Sequence, residues 1–293
     1  MATITCFGEI LYDVFPAHEK IGGAPLNVAV RLRSFGNDVK MISAIGHDRR
    51  GKDLLDFLEK HHISVEHIEL LNEYKTGKVK VMLNEKGSAS YNIMYPRAWD
   101  KINISEAKKK VVRESDAFVF GSLVARDEIS RKSLYELVDN ANYKIFDLNL
   151  RPPYYTLELL QDLMNKADFI KFNDDELYEV ARAMGSKYYS LEQNIKFIAS
   201  KTNTNNICVT KGAHGAVLMY GDALYYNSGF LIKVVDTVGA GDSFLASLLS
   251  KLLNGSEPQT AIDFACAVGA LVAKCEGANP QITDDEILNF MNP

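Results

Sequence analysis

The stretch Val235-Asp236-Thr237-Val238-Gly239-Ala240-Gly241-Asp242-Ser243-Phe244 sets small residues directly before Leu245, Leu248, Leu249 and Leu252, which recur at helical spacing. Glycines at 239 and 241 let backbone N–H groups turn toward a ligand, and the start of a helix adds unsatisfied donors and a positive dipole end. The spacing therefore predicts an anion site at the head of a helix over 242–253. Asp242 falls in the first turn, where the dipole favours its ionised form, and a carboxylate there can accept a proton from a hydroxyl attacking a phosphoryl group. A plainer role fits the same residues: Asp242 stabilising a helix start after a tight turn.

Upstream of this stretch, strand-like and helix-like segments alternate. An apolar run over 4–8 reads as a buried strand, a helix is expected over 26–35 before Gly36-Asn37, and a strand over 39–44. Leu54, Leu55 and Leu58 place a helix over 49–60 with Asp48 as its cap. Between 76 and 94 the period changes to two: Val79, Val81 and Leu83, a polar turn at Asn84-Glu85-Lys86-Gly87, then Tyr91, Ile93 and Tyr95. This predicts an antiparallel hairpin that leaves the main sheet. Strands are expected again over 117–120, 144–148, 169–172 and 207–210, and helices over 260–274 and 284–291. Such a rhythm implies an α/β fold with a mostly parallel sheet covered on both faces and a ligand site at the carboxyl ends of its strands.

The 293 residues are 47% hydrophobic and 24% charged, an ordinary globular composition, and 33 Lys+Arg against 38 Asp+Glu leave a formal charge of -5. That balance disfavours nonspecific nucleic-acid binding. Apolar runs are too short for a membrane helix, the N-terminus lacks the features of a secretion signal, and a cytoplasmic location is expected. Cys6, Cys208, Cys266 and Cys275 form no Cys-x-x-Cys pair, and His61, His62 and His67 have no ligand partners at metal spacing.

A second glycine-bearing segment, Ile21-Gly22-Gly23-Ala24-Pro25-Leu26-Asn27-Val28-Ala29, also leads into a helix. Its glycines permit close approach of a polar ligand, and Asn27 offers a donor and an acceptor suited to a polyhydroxylated substrate; a plain turn with Asn27 facing solvent fits as well. Neither a Walker motif nor a Gly-x-Gly-x-x-Gly fingerprint is present.

Jointly, residues 236–244 and 22–29, the latter followed by Gly36 and Gly46, resemble the two signatures of the ribokinase-like sugar kinases, the PfkB family. The resemblance spans essentially the whole chain; Ser247 departs from the Ala or Gly usual at its place. It implies one kinase domain over 1–293, a ribokinase-like three-layer α/β sandwich with a central mostly parallel sheet, and a small β-sheet lid from segments near 9–21 and 76–95. It further implies ATP, Mg²⁺ and γ-phosphoryl transfer to a primary sugar hydroxyl, with Asp242 as base and the amides of Gly239, Ala240 and Gly241 holding the developing charge. Asp13, Gly23 and Asn27 match sugar-contacting positions. Asn173 and Glu176 match an Asn-x-x-Glu motif associated with phosphate and Mg²⁺, the metal reached through water. Thr210, Gly212 and Gly215 match a nucleotide-binding turn that also carries Lys211, and Asn279 falls in a loop bordering adenine. Several members bind a monovalent cation such as K⁺ beside the anion loop, which implicates Asp236.

The residues keep plainer alternatives open at several of these positions. Asp13 also fits a turn, Glu176 the start of a helix in Asp174-Asp175-Glu176, and Lys211 a solvated turn. Gly8-Glu9-Ile10-Leu11-Tyr12-Asp13, Pro25 in the glycine motif and Asp147-Leu148-Asn149-Leu150-Arg151-Pro152-Pro153 most resemble fructokinases. Arg151 suits a polyhydroxylated or anionic ligand or a carboxylate partner, and Arg97 suits either closure over the sugar or a surface charge. The expected reaction is fructose to fructose 6-phosphate. Ribose, 2-keto-3-deoxygluconate and nucleosides compete as acceptors, and a non-catalytic sugar-binding regulator is the alternative from another class. The apolar residues of the hairpin predict a homodimer through the lid.

Overall fold

A computed structural model describes residues 1–83, 89–202 and 204–292, without the side chains of 83, 89 and 90. The predicted polar turn at 84–87 lies outside the described residues. The strands are β1 Thr3–Phe7, β2 Leu11–Val14, β3 Glu19–Gly22, β4 Asp38–Gly46, β5 Ile68–Leu71, β6 Gly77–Leu83, β7 Ala89–Ile93, β8 Ala117–Gly121, β9 Lys144–Asp147, β10 Phe169–Asn173, β11 Asn206–Thr210, β12 Ala216–Tyr220 and β13 Ala223–Asn227. The helices are α1 Ala24–Ser34, α2 Arg49–Lys60, α3 Glu106–Arg113, α4 Glu128–Val138, α5 Leu157–Lys166, α6 Asp174–Ala183, α7 Leu191–Thr202, α8 Ala240–Leu253, α9 Pro258–Ala273 and α10 Asp284–Met291.

Nine strands form one sheet in the order β13-β12-β11-β10-β9-β8-β1-β4-β5. Pairing is parallel from β11 through β5, and the β11–β12 and β12–β13 pairings at the edge are antiparallel, with β12 the reversed strand. Alternation along each strand sends successive apolar side chains to opposite faces, so both faces need covering. Phe118, Phe120 and Phe146 stack on one face, with neighbouring ring centroids 5.7 and 5.3 Å apart, in a core closed by Val112, Leu134, Leu160, Leu177 and Ile195 of α3 to α7. Val119 and Ile145 point the other way, into a core with Leu26, Leu54, Leu248 and Ile262 of α1, α2, α8 and α9. The result is the expected three-layer α/β sandwich. Among the described residues no helix is long and apolar enough to cross a membrane.

A separate four-stranded sheet, β3-β2-β6-β7, carries the predicted hairpin and the segment after β1. Val79, Val81, Ile93 and Leu11 are buried, whereas Tyr91 and Tyr95 are exposed. Asp48 caps α2 as expected, accepting from Gly51 N at 2.9 Å, and also binds Thr76 at the base of β6, joining the small sheet to the body.

Candidate active site

Asp147 at the end of β9 and Lys171 on β10 lie beside the N-terminus of α8. Gly239 is the N-cap of this helix at φ 75°, and a Cβ there would lie 2.6 Å from Ala278 Cα, so the turn demands glycine twice over. Ala240 N–H donates to Thr237 O at 3.2 Å. Asp242 lies in the first turn, partly exposed, and accepts from Asn27 Nδ2 at 2.8 Å; Asn27 Oδ1 in turn accepts from Asn279 Nδ2 at 2.9 Å. Burial and the charge of Asp147 push the Asp242 carboxyl up to about 6, against the Asn27 hydrogen bond and the positive charges of Lys171 and Arg151. A carboxylate tuned this way near neutral pH is suited to accept a proton. Ser247, the departure from the family signature, is buried and donates back to Ser243 O at 2.6 Å, which satisfies its hydroxyl inside α8.

Beneath the turn lies a pair that the sequence reading did not single out. Lys171, on β10, and Asp147, at the end of β9, are both buried with Nζ and Oδ1 3.1 Å apart. A Cβ added at Gly241 would meet Lys171 Nζ at 3.6 Å, so the ammonium lies against the glycine turn. Burial alone would lower its pKa, but the carboxylates of Asp147, Glu176 and Asp242 outweigh it and keep Lys171 charged. The only sequence signal was a lysine inside an apolar strand, Phe169-Ile170-Lys171-Phe172.

Asn173 and Glu176 form a reciprocal cap at the start of α6, each side chain accepting from the other's backbone N–H at 2.8 Å. The second Glu176 oxygen accepts from Leu150 N at 2.9 Å. The helix-start alternative is thus realised, and the same bonds place Glu176 close enough to act on Lys171. Thr210 closes β11, and Lys211, Gly212 and Gly215 form the turn into β12; Lys211 N–H donates to Gly215 O at 2.8 Å, and Gly212 is exposed.

The residues expected from the sequence to contact sugar lie among Gly23, Asp13 and their neighbours. Gly23, at φ 116°, packs so closely on the Glu9 carbonyl that any Cβ would collide with it. Asp13 on β2 is partly buried, its carboxyl raised by desolvation against the charge of Arg151. Glu9, also missed by the sequence reading, is buried with Oε2 lacking a hydrogen-bond partner among the described residues, and desolvation pushes it up to about 7 against its own backbone and Arg151. Arg151 is exposed and donates to Leu150 O, yet its charge acts on Glu9, Asp13 and Asp242 alike. Arg97 donates its backbone N–H to Asp100, and its buried Nε has no partner among the described residues. The neighbouring Arg126, not anticipated, is the arginine that pairs with Asp100, at 2.7 and 2.9 Å, and reaches Met94 O at the end of the small sheet.

Asn279, expected in a loop bordering adenine, donates to Asn27, one of the residues expected to contact sugar. Asp236 accepts from Val238 N and Gly277 N, both at 3.0 Å, and has Lys20 Nζ at 3.6 Å. Those amides and Lys20 outweigh burial and hold its carboxyl below the usual range.

Residues 1–285 match the pfkB family of carbohydrate kinases. The chain is 25% identical to a fructokinase of Salmonella typhimurium, covering 98% of each, and 25% identical to an ATP-dependent 6-phosphofructokinase of Thermoanaerobacterium thermosaccharolyticum, covering 92% of this chain and 84% of that one. Its fold is similar to that of a Vibrio cholerae fructokinase, a structure with fructose, ADP and potassium bound (TM-score 0.86, 23% identity, 100% and 99% coverage). It is also similar to a putative ribokinase II of E. coli (TM-score 0.87, 18% identity, 99% of each chain). With the family match covering nearly the whole length and the fold and glycine turn in agreement, this chain belongs to the pfkB family of carbohydrate kinases.

Proposed function

We propose that the protein transfers the γ-phosphoryl group of ATP to a primary hydroxyl of a small sugar, with fructose the preferred acceptor and fructose 6-phosphate the product. The observation carrying this reading is the Asp242 carboxylate, held by Asn27 and pushed up to about 6, at the head of the α8 glycine turn. Asp242 takes the proton of the hydroxyl as its oxygen bonds to Pγ and the Pγ–O bond to ADP breaks. The N–H groups of Gly239 and Gly241, and that of Ala240 once it leaves Thr237 O, meet the charge that develops on the phosphoryl oxygens. Asp13, Gly23 and Asn27 orient the sugar, with Arg151 and Arg97 completing its polar surround. Thr210, Lys211, Gly212 and Gly215 border the nucleotide. Asn279, bonded to Asn27, serves the sugar side as much as any adenine contact.

Among the described residues no group of three or more His, Cys, Asp or Glu could hold a metal ion, so the donor set fits a magnesium ion that arrives on the nucleotide and keeps its waters. Glu176, whose two oxygens already accept backbone N–H groups, would hold it through water. When bound, the metal neutralises phosphate charge. Asp236 does not fit a monovalent cation equally well: both its oxygens are engaged and Lys20 already supplies a positive charge. No role is derived for such a cation.

The test is an acceptor panel with ATP and Mg²⁺: fructose, ribose, 2-keto-3-deoxygluconate, adenosine and fructose 6-phosphate. Fructose should give the highest kcat/KM. A preference for another acceptor overturns the substrate, and tight sugar binding without turnover overturns catalysis in favour of a sugar-binding regulator. A cytoplasmic location and a homodimer through the small sheet complete the reading. Exposed Tyr91 and Tyr95 on that sheet support the dimer, and a monomeric mass in light scattering would remove it.

A further inference from the structure

The Lys171–Asp147 pair has no task in the reaction as described, although its ammonium lies against the glycine turn. We propose, building on the kinase reading, that Lys171 is a further catalytic residue whose ammonium, anchored by Asp147 beneath Gly241, touches the phosphoryl group as it passes from ATP to the sugar.

Three observations carry this. First, position: Nζ approaches the turn from the β10 side to within 3.6 Å of where a Gly241 Cβ would stand. Second, charge: Asp147, Glu176 and Asp242 all act on Lys171, and three carboxylates around one ammonium leave the pocket too negative for a phosphoryl group unless the amides and this cation face it together. Third, cost: a lysine buried to 6% exposure is expensive to keep charged, and Asp147, whose oxygens find no well-formed hydrogen bond among the described residues, gives it a counter-ion without saturating its three donors. An ion pair serving stability alone is often matched by apolar residues of similar size. One aimed at a reacting group leaves a donor spare, as here.

The step balances without further reagents. The sugar oxygen bonds to Pγ, the bond from Pγ to the bridging oxygen of ADP breaks, and the hydroxyl proton goes to Asp242. Lys171 keeps its protons and changes only hydrogen-bond partners.

A purely structural lysine would affect ATP and ADP alike, so the deciding measurement is their relative affinity, read by calorimetry with β,γ-methylene-ATP and with ADP. Lys171→Met should weaken the triphosphate analogue about tenfold or more and ADP less than twofold, and lower kcat by about 10²–10³, as for loss of one donor to a developing oxyanion. Lys171→Arg should recover part of both. Because the single change strands the Asp147 charge, the Asp147→Asn/Lys171→Met double variant removes both charges and should show the same selective loss. Equal weakening of analogue and ADP, or kcat within threefold of the parent in the double variant, overturns the proposal. If the unaltered protein phosphorylates no acceptor, the kinase reading fails, and the affinity ratio still decides whether Lys171 meets a γ-phosphoryl group.

Discussion

The two flanks of the site are built differently. On the body side, Asp242, Asn27, Lys171, Asp147 and Glu176 stand on the nine-stranded sheet or the helices covering it and, with Asn279 in the loop after α9, are tied to one another or to backbone amides. On the small-sheet side, Asp13, Arg97 and Arg151 are partly or fully exposed, and the recorded bonds of the two arginines go to nearby main chain or to a carboxylate three residues away. Groups that must meet a developing charge gain from being held before the substrate arrives, since no reorganisation is then needed during the reaction. Groups that recognise hydroxyls can be completed by the sugar itself. Under the proposed function the difference gives chemistry to the body and acceptor choice to the other flank, and it predicts which kinetic constant each change moves.

The largest effect is expected from Asp242→Asn, which should lower kcat by about 10²–10⁴ while sugar affinity measured by calorimetry stays near that of the parent. With the carboxyl at about 6, kcat/KM should fall about tenfold per unit once the pH drops below 6, because protonated Asp242 cannot take the hydroxyl proton; a flat profile down to pH 5 would break the assignment. Next comes Gly239→Ala. A left-handed backbone costs an L-residue about 1–2 kcal/mol, and the added Cβ would press on Ala278, so both kcat and thermal midpoint should drop, with KM for the sugar changing least.

Glu9→Gln probes the seam between the regions. The folded carboxyl is raised above its unfolded value, so its contribution to stability is fully present below about pH 4.5 and is lost as pH rises through about 7. The Gln variant does not titrate there and should therefore be more stable than the parent at pH 8 than at pH 4.5, by about 2–3 kcal/mol in urea unfolding. Equal differences at the two pH values would show that Glu9 is not desolvated. The smallest effect is expected from Asp13→Ala: KM for the sugar up about tenfold, with kcat within a few-fold. If Asp13→Ala lowered kcat as much as Asp242→Asn does, the division between the two flanks would not hold.

Much of this was legible before any coordinates, for a local reason. The turn at Gly239-Ala240-Gly241 and the Asp242 beside it are neighbours in sequence, and backbone geometry plus the helix dipole set their arrangement. The change from helical to alternating period near residue 76 likewise announced a sheet apart from the main one, and Asp48 proved to cap its helix. The antiparallel edge of β12 and β13 was not read, because its hydrophobic runs resemble those of parallel strands and pairing direction leaves no local mark. Lys171 and Glu9 were passed over for a related reason: each was a single charged residue in or beside an apolar run, and what makes each notable is burial among charged groups that other elements bring to it in the fold. Asn279 shows the converse, since its loop was legible but its bond to Asn27, 252 positions distant, was not.

By itself, then, the sequence determined the alternation of elements, the glycine turn and the aspartate beside it, since these depend on residues within about ten positions of one another. Tertiary structure decided which charges gather beneath that turn, which carboxylates are desolvated enough to be raised toward neutrality, and that Glu176 is committed to a helix cap as well as to the site. Electrostatics in a folded protein acts through space and through the exclusion of water, and neither is a property of neighbours along the chain.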